Sequence, residues 1–251
     1  MSAWQIQTNH LLLPKSGFEL SECEDAFAIN ESARRFALAD GATEAFDSQS
    51  WARLLVNDWV GLTPIEHSPE AFWNYVAGQA RTLHDSWQGL RLSWYAEEKA
   101  RTGSFAAFVG VQLDLEGPSP NWQAVALGDS CLIHCRRGEI LTSLPIAKSE
   151  DFNTTPPLVP SQASLQGFAR DKIVNRAGVI EEGDVLLLLS DAVAFWFLRP
   201  DETTQKARWD FDLLLKTNQD SELRELFSKE RACGRIPDDD IAAIRIAVGG
   251  G

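Results

Sequence analysis

Acidic residues lie on both strands at the open end of a predicted β-hairpin near the start of the chain. Residues 24–41 alternate apolar with small or polar side chains, which is typical of paired strands. A polar turn at residues 31–34 would place Asp25 opposite Asp40. Neighbouring carboxylates disfavour each other's ionisation, so a fold that gathers them usually supplies a cation or shares a proton. Taken alone, the stretch also fits a simpler alternative, in which Asp40 only begins a turn and Asp25 only precedes a strand.

Further acidic residues fall where other predicted strands begin or end. Asp129 lies between two strands, Asp191 closely follows Val185–Leu189, and Asp238–Asp240 precedes Ile241–Val248. Acids at strand ends can converge on one edge of a sandwich, where solvent and metal ions reach them. Oxygen ligands without His or Cys nearby favour Mg²⁺ or Mn²⁺ over Zn²⁺.

The elements that must position these acids follow from the periodicity of the apolar residues. Helical spacing predicts helices within Trp51–Trp59, Ser68–Trp87, Trp94–Lys99, Ala192–Leu198, Phe211–Leu215 and Ser221–Cys233. Alternation and apolar runs predict further strands within Trp4–Thr8, Ser104–Leu115, Trp122–Leu127, Cys131–Cys135, Val185–Leu189 and Ile241–Val248. Successive strands joined by short turns favour antiparallel sheets over βαβ units. Four prolines within residues 143–170 predict a long irregular excursion there.

Composition bounds the class of protein. The chain has 251 residues, 36 acidic and 23 basic, with a formal net charge of −13. This charge disfavours a sequence-independent nucleic-acid binder and a protein of anionic membrane surfaces. The cysteines lack paired C-x-x-C spacing, so we expect isolated buried thiols: Cys23, Cys131, Cys135 and Cys233. No apolar run approaches the ~18 residues of a membrane span, so we expect one soluble, cytoplasmic domain over residues 1–251.

The order and spacing of the acidic motifs resemble a known family. From about residue 15 to residue 248 the chain is similar to the metal-dependent protein serine/threonine phosphatases of type 2C. The motifs that carry this resemblance are Glu24-Asp25-Ala26, Ala39-Asp40-Gly41, Gly103-Ser104, Gly128-Asp129-Ser130, Ser190-Asp191 and Asp239-Asp240-Ile241.

The resemblance implies an α+β fold, a four-layer αββα sandwich of two antiparallel sheets flanked by helices. It also implies two Mg²⁺ or Mn²⁺ ions, with Asp40 shared between them and Gly41 contributing its carbonyl. Asp191 and Asp239 match the remaining direct ligands. The two ions would activate a water to attack the phosphorus in line. Residues matched to positions around the direct ligands are Glu24, Asp25, Asp129 and Asp240.

Several positions depart from the family pattern. No arginine, which grips the substrate phosphate in many members, occurs in Phe18–Cys23; Lys15 or a basic residue from elsewhere would have to replace it. Ala42 stands where some members have His, and Ala192 stands where Gly is usual. Phe195 occupies a position where an acid for a third metal ion is common, so a third ion is doubtful.

Three functions stay open on these residues. The first is hydrolysis of phosphoserine or phosphothreonine in a protein, which implies a phosphoprotein substrate and a cognate kinase as partners. The second is a catalytically weak pseudophosphatase that acts as a regulatory binding module. The third is metal-dependent hydrolysis of another phosphate ester. The resemblance also places a variable flap at Leu144–Ser161, which either reads the phosphoprotein or is a passive loop.

Overall fold

The structure is a computed structural model that describes residues 4–61, 68–199 and 219–250. The strands described are β1 (Trp4–Leu13), β2 (Asp25–Asn30), β3 (Arg35–Gly41), β4 (Phe105–Asp114), β5 (Asn121–Leu127), β6 (Cys131–Arg136), β7 (Glu139–Leu144), β8 (Val159–Pro160), β9 (Val174–Val179), β10 (Val185–Leu189) and β11 (Ile241–Gly250). The helices described are α1 (Ser48–Gly61), α2 (Pro69–Ser86), α3 (Trp94–Thr102), α4 (Ala163–Ala169), α5 (Asp191–Leu198) and α6 (Asp220–Ala232).

The strands form two antiparallel sheets. The five-stranded sheet has the order β1-β11-β10-β6-β7, and the six-stranded sheet has the order β2-β3-β4-β5-β9 with β8 paired to β4. In the hairpin of β2 and β3, Asp25 faces Asp40 and Asn30 faces Arg35. The predicted hairpin and its register are therefore confirmed.

The alternation along β3 shows how the layers are built. Phe36 and Leu38 point into the core between the two sheets, whereas Ala37 and Ala39 point outward and allow α1 and α2 to pack closely on the six-stranded sheet. Helices α5 and α6 cover the outer face of the five-stranded sheet, where Trp196 is fully buried. This is the αββα sandwich that the sequence predicts.

Local chemistry explains where the helices begin and end. The Ser68 hydroxyl accepts a hydrogen bond from the Ala71 N–H at 3.1 Å, and Pro69 occupies the first turn of α2. Ser93 caps α3 in the same way, and α3 ends at Gly103, whose φ of +85° favours glycine. Among the described residues, no helix combines the length and the hydropathy that crossing a membrane requires.

Some predictions about the elements were wrong or incomplete. Residues 143–170 are not irregular throughout, because β8 pairs with β4 and α4 follows it. The sequence analysis also missed β9, a partly exposed edge strand in which Asn175, Arg176 and Gly178 interrupt the apolar residues, so that its alternation is weak. Cys233 is exposed, although all four cysteines are free thiols. The predicted helix at Phe211–Leu215 lies outside the described residues.

Candidate active site

The hairpin brings the first acids together at the end of the six-stranded sheet. Asp25 and Asp40 are direct cross-strand neighbours. Gly41 follows in a narrow passage, since an added Cβ there would lie 2.9 Å from the carbonyl oxygens of both Glu24 and Ser48. Glycine at this position therefore lets the backbone pass close to Glu24 and Ser48 as β3 ends and the next loop begins.

The five-stranded sheet contributes acids to the same end of the molecule. Strands β6 and β10 are antiparallel with Cys131 opposite Leu189, so the start of β6 meets the end of β10. Asp129 precedes β6 and Asp191 follows β10, and both therefore lie at this end. Asp239 and its neighbour precede β11, whose Ala243 pairs with Leu189.

All the predicted site residues line one cavity of about 210 Å³. They are Glu24, Asp25, Asp40, Gly41, Asp129, Asp191, Asp239 and Asp240. The predicted flap contributes Thr154, Pro156 and Leu158 to the same wall. Within the part of the chain that the structure describes, no Lys, Arg or His lines this cavity, so seven acidic side chains share it without a basic one.

Burial and mutual repulsion work against the ionisation of Asp25 and Asp40. Burial raises the pKa of Asp25 well above its ordinary range, and the charges of Asp191 and Asp240 raise it further. The pKa of Asp40 is likewise raised well above its ordinary range, first by burial and then by Asp25 and Asp191. Asp25 is 2% exposed, and its Oδ2 has no hydrogen-bond partner in the described structure.

The acids from the five-stranded sheet show the same tendency. Burial, followed by the charge of Asp191, raises the pKa of Asp129 to about 7. Burial and then Asp239 raise the pKa of Asp191. The four carboxyl groups together thus favour protonation or a bound cation over the free anionic state.

Glu24 and Asp240 have a different role, because hydrogen bonds hold both in place. Glu24 accepts hydrogen bonds from the Thr43 hydroxyl at 2.6 Å and the Ser48 hydroxyl at 2.7 Å. Asp240 is 5% exposed and accepts from the backbone N–H groups of Lys15 at 2.8 Å and Glu24 at 2.7 Å. Asp240 therefore connects the start of β11 to the loop that carries Glu24.

The donor set fits divalent ions that prefer oxygen. The cavity offers only oxygen ligands, and Asp25 contributes an orphaned buried carboxylate oxygen that a cation or its water could satisfy. Among residues 4–61, 68–199 and 219–250, no three Asp, Glu, His or Cys side chains are arranged as a ready-made metal cluster. Instead, Asp25 and Asp40 are cross-strand neighbours, and neighbouring carboxyl groups favour a shared proton or a bound cation.

Two departures from the family pattern can now be located. Phe195 packs edge-on against Phe152 at 5.7 Å between ring centroids and does not line the cavity. Lys15 places its Nζ 3.8 Å from Glu24 Oε2, with the side chain 21% exposed. The ammonium group of Lys15 therefore lies beside the cavity, next to Glu24, which lines it.

The sequence analysis missed residues that support the acids from outside the motifs. Thr43 and Ser48 hold Glu24, and the Ser190 hydroxyl acts to lower the pKa of Asp25, against the larger effect of burial. Ser190 also accepts a hydrogen bond from the Ala242 N–H at 2.9 Å. Only Ser190 carried a signal, because it directly precedes Asp191 in the recognised motif.

Comparisons with solved structures agree with this architecture. The chain is similar to the serine/threonine phosphatase PstP of Mycobacterium tuberculosis, with a TM-score of 0.65, 13% identity, and coverage of 96% of this chain and 98% of that one. The catalytic domain of PstP in complex with two manganese ions gives a TM-score of 0.61 at 16% identity, covering 98% of this chain and 100% of that one. The photosystem II phosphatase PBCP gives 0.62 at 15% identity, covering 97% and 98%.

At these identities the likeness concerns the fold. No protein-family profile and no curated protein matches the chain. The chain therefore has a type 2C phosphatase-like fold, with seven acidic side chains around a cavity at one end of the sandwich.

Proposed function

We propose that this protein hydrolyses phosphoserine and phosphothreonine in other proteins, using two Mg²⁺ or Mn²⁺ ions. The observation that carries the proposal is the 210 Å³ cavity, in which seven acidic side chains meet. Asp40, Asp191, Asp239 and the Gly41 carbonyl would hold the ions. When bound, the ions would supply an activated water and neutralise charge on the phosphate.

The other residues of the cavity prepare this site. Asp25 and Asp129 add negative charge beside the proposed ligands, and that charge favours cation binding. Thr43 and Ser48 fix the side chain of Glu24, and Asp240 fixes the backbone N–H groups of Lys15 and Glu24. Each of these contacts limits how far the wall of the cavity can move.

Lys15 is the residue we propose to contact the substrate phosphate in place of the arginine that this chain lacks. Its ammonium group lies 3.8 Å from Glu24 and 4.8 Å from the centre of the Phe18 ring, at the rim of the cavity. A phosphate entering the cavity would replace a partly exposed ion pair, which contributes little stability. We further propose a cytoplasmic phosphoprotein as substrate and a serine/threonine kinase as the partner that produces it.

The second candidate function is a regulatory binding module with weak or no catalysis. The observation that favours it is the absence of a basic side chain from the cavity wall in the described residues. The two functions differ in turnover but share the binding of metal ions and of a phosphoprotein.

The experiment is Mn²⁺-dependent hydrolysis of a small aryl phosphate and of a phosphothreonine peptide, measured side by side, with Mn²⁺ affinity measured by calorimetry. Asp40→Asn should lower both rates by at least about a hundredfold, because it removes a charged ligand at the centre of the site. The matched control is Asp238→Asn, since Asp238 is exposed, does not line the cavity and accepts a hydrogen bond from the Ser16 N–H.

The outcomes separate the two candidates. Hydrolysis by the parent and the control, but not by Asp40→Asn, supports the phosphatase. Tight Mn²⁺ binding without hydrolysis supports the binding module. An Asp40→Asn variant that keeps most of its Mn²⁺-dependent rate contradicts the proposed ligands.

A further inference from the structure

An apolar pocket of about 330 Å³ lies directly beside the acidic cavity. Ala42 and Leu158 line both, so they form the wall between the two. The residues around the apolar pocket come from the loop after β3, from the end of α3, from the start of β4 and from the flap: Ala42, Glu44, Ala45, Lys99, Thr102, Gly103, Phe105 and Leu158. Its surface is mostly apolar, in contrast to the carboxylates on the other side of the wall.

Backbone hydrogen bonds hold the walls of this pocket in place. The Ala42 N–H donates to the Phe105 carbonyl at 2.9 Å, which fastens the loop to β4. Ser104 and Ser161 are fully buried and exchange two hydrogen bonds of 2.9 Å, from each backbone N–H to the other residue. The Ser104 hydroxyl also donates to the Phe46 carbonyl. The pocket is therefore formed before any ligand binds.

Exposed aromatic side chains continue the apolar surface from the pocket along α3. No residue of α3 is buried, and Trp94 and Tyr95 are 81% and 56% exposed. Tyr95 lies one helical turn before Lys99, whose ammonium group is 5.3 Å from the centre of the tyrosine ring and whose side chain lines the pocket. Exposed large aromatic side chains near an apolar pocket are typical of interaction sites.

We propose that this pocket binds an apolar side chain of the phosphorylated polypeptide, a few residues from its phosphoserine or phosphothreonine, while the peptide continues over Tyr95. The inference rests on the proposed function and adds the substrate class. The shared wall of Ala42 and Leu158 carries the argument, because a group in the pocket lies next to the acidic cavity. A volume of 330 Å³ accommodates a Leu, Met or Phe side chain.

The test uses phosphothreonine peptides with glycine at every flanking position, and variants with a single leucine at each of the three positions on either side. Extended chain advances about 3.3–3.6 Å per residue, so these positions cover the reach of the pocket. Two quantities are measured with Mn²⁺ present: kcat/KM for hydrolysis, and affinity for slowly hydrolysed phosphorothioate peptides by fluorescence anisotropy. At one position, leucine should raise both quantities by about tenfold or more over glycine.

Variants that fill the pocket test its location. Ala45 and Thr102 line the pocket from different elements, the loop after β3 and the end of α3. Ala45→Leu and Thr102→Leu should each remove the preference for leucine while leaving turnover of the all-glycine peptide within about twofold. Two variants keep the test decisive if one of them fails to fold, which thermal unfolding would show. The matched control is Ala232→Leu at the exposed end of α6, which should keep the preference. Tyr95→Ala should weaken the affinity of the preferred peptide by a smaller factor.

The outcomes distinguish this inference from the proposed function. Equal rates and affinities for leucine and glycine at every position, with clear hydrolysis, would overturn the pocket and leave the phosphatase intact. A leucine preference in affinity without any hydrolysis would support the pocket and overturn catalysis. A preference that survives in both pocket-filling variants would place the apolar contact elsewhere and overturn the inference.

Discussion

The two ends of strand β10 carry acids whose surroundings are opposite. Asp184 precedes the strand and is fully buried, and it accepts hydrogen bonds from Arg136 Nε at 2.7 Å, Arg136 Nη2 at 2.8 Å and the Glu181 N–H at 2.8 Å. His134 Nε2 lies 2.9 Å from Asp184 Oδ2, and the Trp122 indole donates to the other ring nitrogen of His134 at 3.1 Å. At the far end of β10, Asp191 faces other carboxylates.

The pKa values express this difference. Burial alone would raise the pKa of Asp184, but the hydrogen bonds from Arg136, from the Glu181 backbone and from His134 outweigh burial and hold it below its ordinary value. Burial also raises the pKa of Asp25 and Asp191, and there the neighbouring charges act in the same direction. A buried carboxylate that the protein itself satisfies is structural, whereas buried carboxyl groups that face one another favour protonation or a bound cation.

The largest expected effect on stability is at the Asp184 end of β10, called here the satisfied end because the protein supplies hydrogen bonds to its carboxylate. Asp184→Asn should lower the free energy of unfolding by about 3–5 kcal/mol, because it leaves Arg136 without its buried counter-charge and points an amide N–H₂ at other donors. Urea denaturation measures this loss. The control Glu181→Gln removes a half-exposed partner of the same arginine and should cost about 1 kcal/mol or less. Similar losses for both variants would contradict the distinction between the two ends.

The next largest effect on stability is at the acidic end, the Asp191 end of β10 where several carboxyl groups meet. Mn²⁺ at about a hundred times its dissociation constant should stabilise the folded protein by about 2.7 kcal/mol, because the unfolded chain lacks the assembled site. Denaturation with Mn²⁺ and with a chelator measures the gain. Asp40→Asn combined with Asp191→Asn should abolish the gain, and Asp238→Asn should preserve it. Equal gains in all three proteins would mean that the ion binds elsewhere.

The sequence predicted the acidic end more completely than the satisfied end, for a physical reason. Acids at strand ends are visible in a sequence, and the hairpin alternation determined that Asp25 faces Asp40. The contact of His134 with Asp184 depends on the pairing of β6 with β10, two strands that are distant in sequence. Sequence reasoning alone therefore does not find this contact. For the same reason it did not find Thr43 and Ser48, the donors that hold Glu24.

The stability of the metal-free protein should depend on pH because the pKa values of the carboxyl groups at the acidic end are raised. Asp129 has a folded pKa of about 7, against an ordinary value of about 3.9 in unfolded chains. Between these values the folded state binds more protons than the unfolded state, so stability should rise by about 1–2 kcal/mol as pH falls from about 7 to about 5.5. Asp184 acts in the opposite sense because its pKa is lowered in the folded state. Its contribution to the free energy of unfolding is present above the unfolded pKa and is lost as pH falls below it.

Denaturation at several pH values with a chelator measures this slope, and Asp129→Asn is the variant that should reduce it. Mn²⁺ should also reduce the slope, because a bound cation removes the advantage of protonation. A metal-free protein whose stability is constant or falls between pH 7 and pH 5.5 would show that the carboxyl groups at this end are already satisfied.

The smallest effect comes from the same substitution at the unsatisfied end. Asp25→Asn should raise the free energy of unfolding of the metal-free protein by about 1 kcal/mol, since burying Asp25 requires either a charge that Asp191 and Asp240 repel or the uptake of a proton, and asparagine requires neither. The side chain keeps its size, and the new amide is a hydrogen-bond donor beside its cross-strand neighbour Asp40. In Mn²⁺ the advantage should shrink or reverse, because the lost charge then weakens cation binding. Aspartate-to-asparagine changes at Asp25 and Asp184 should thus change the free energy of unfolding in opposite directions. If Asp25→Asn instead lowered the stability of the metal-free protein, Asp25 would be held by the protein as firmly as Asp184 is.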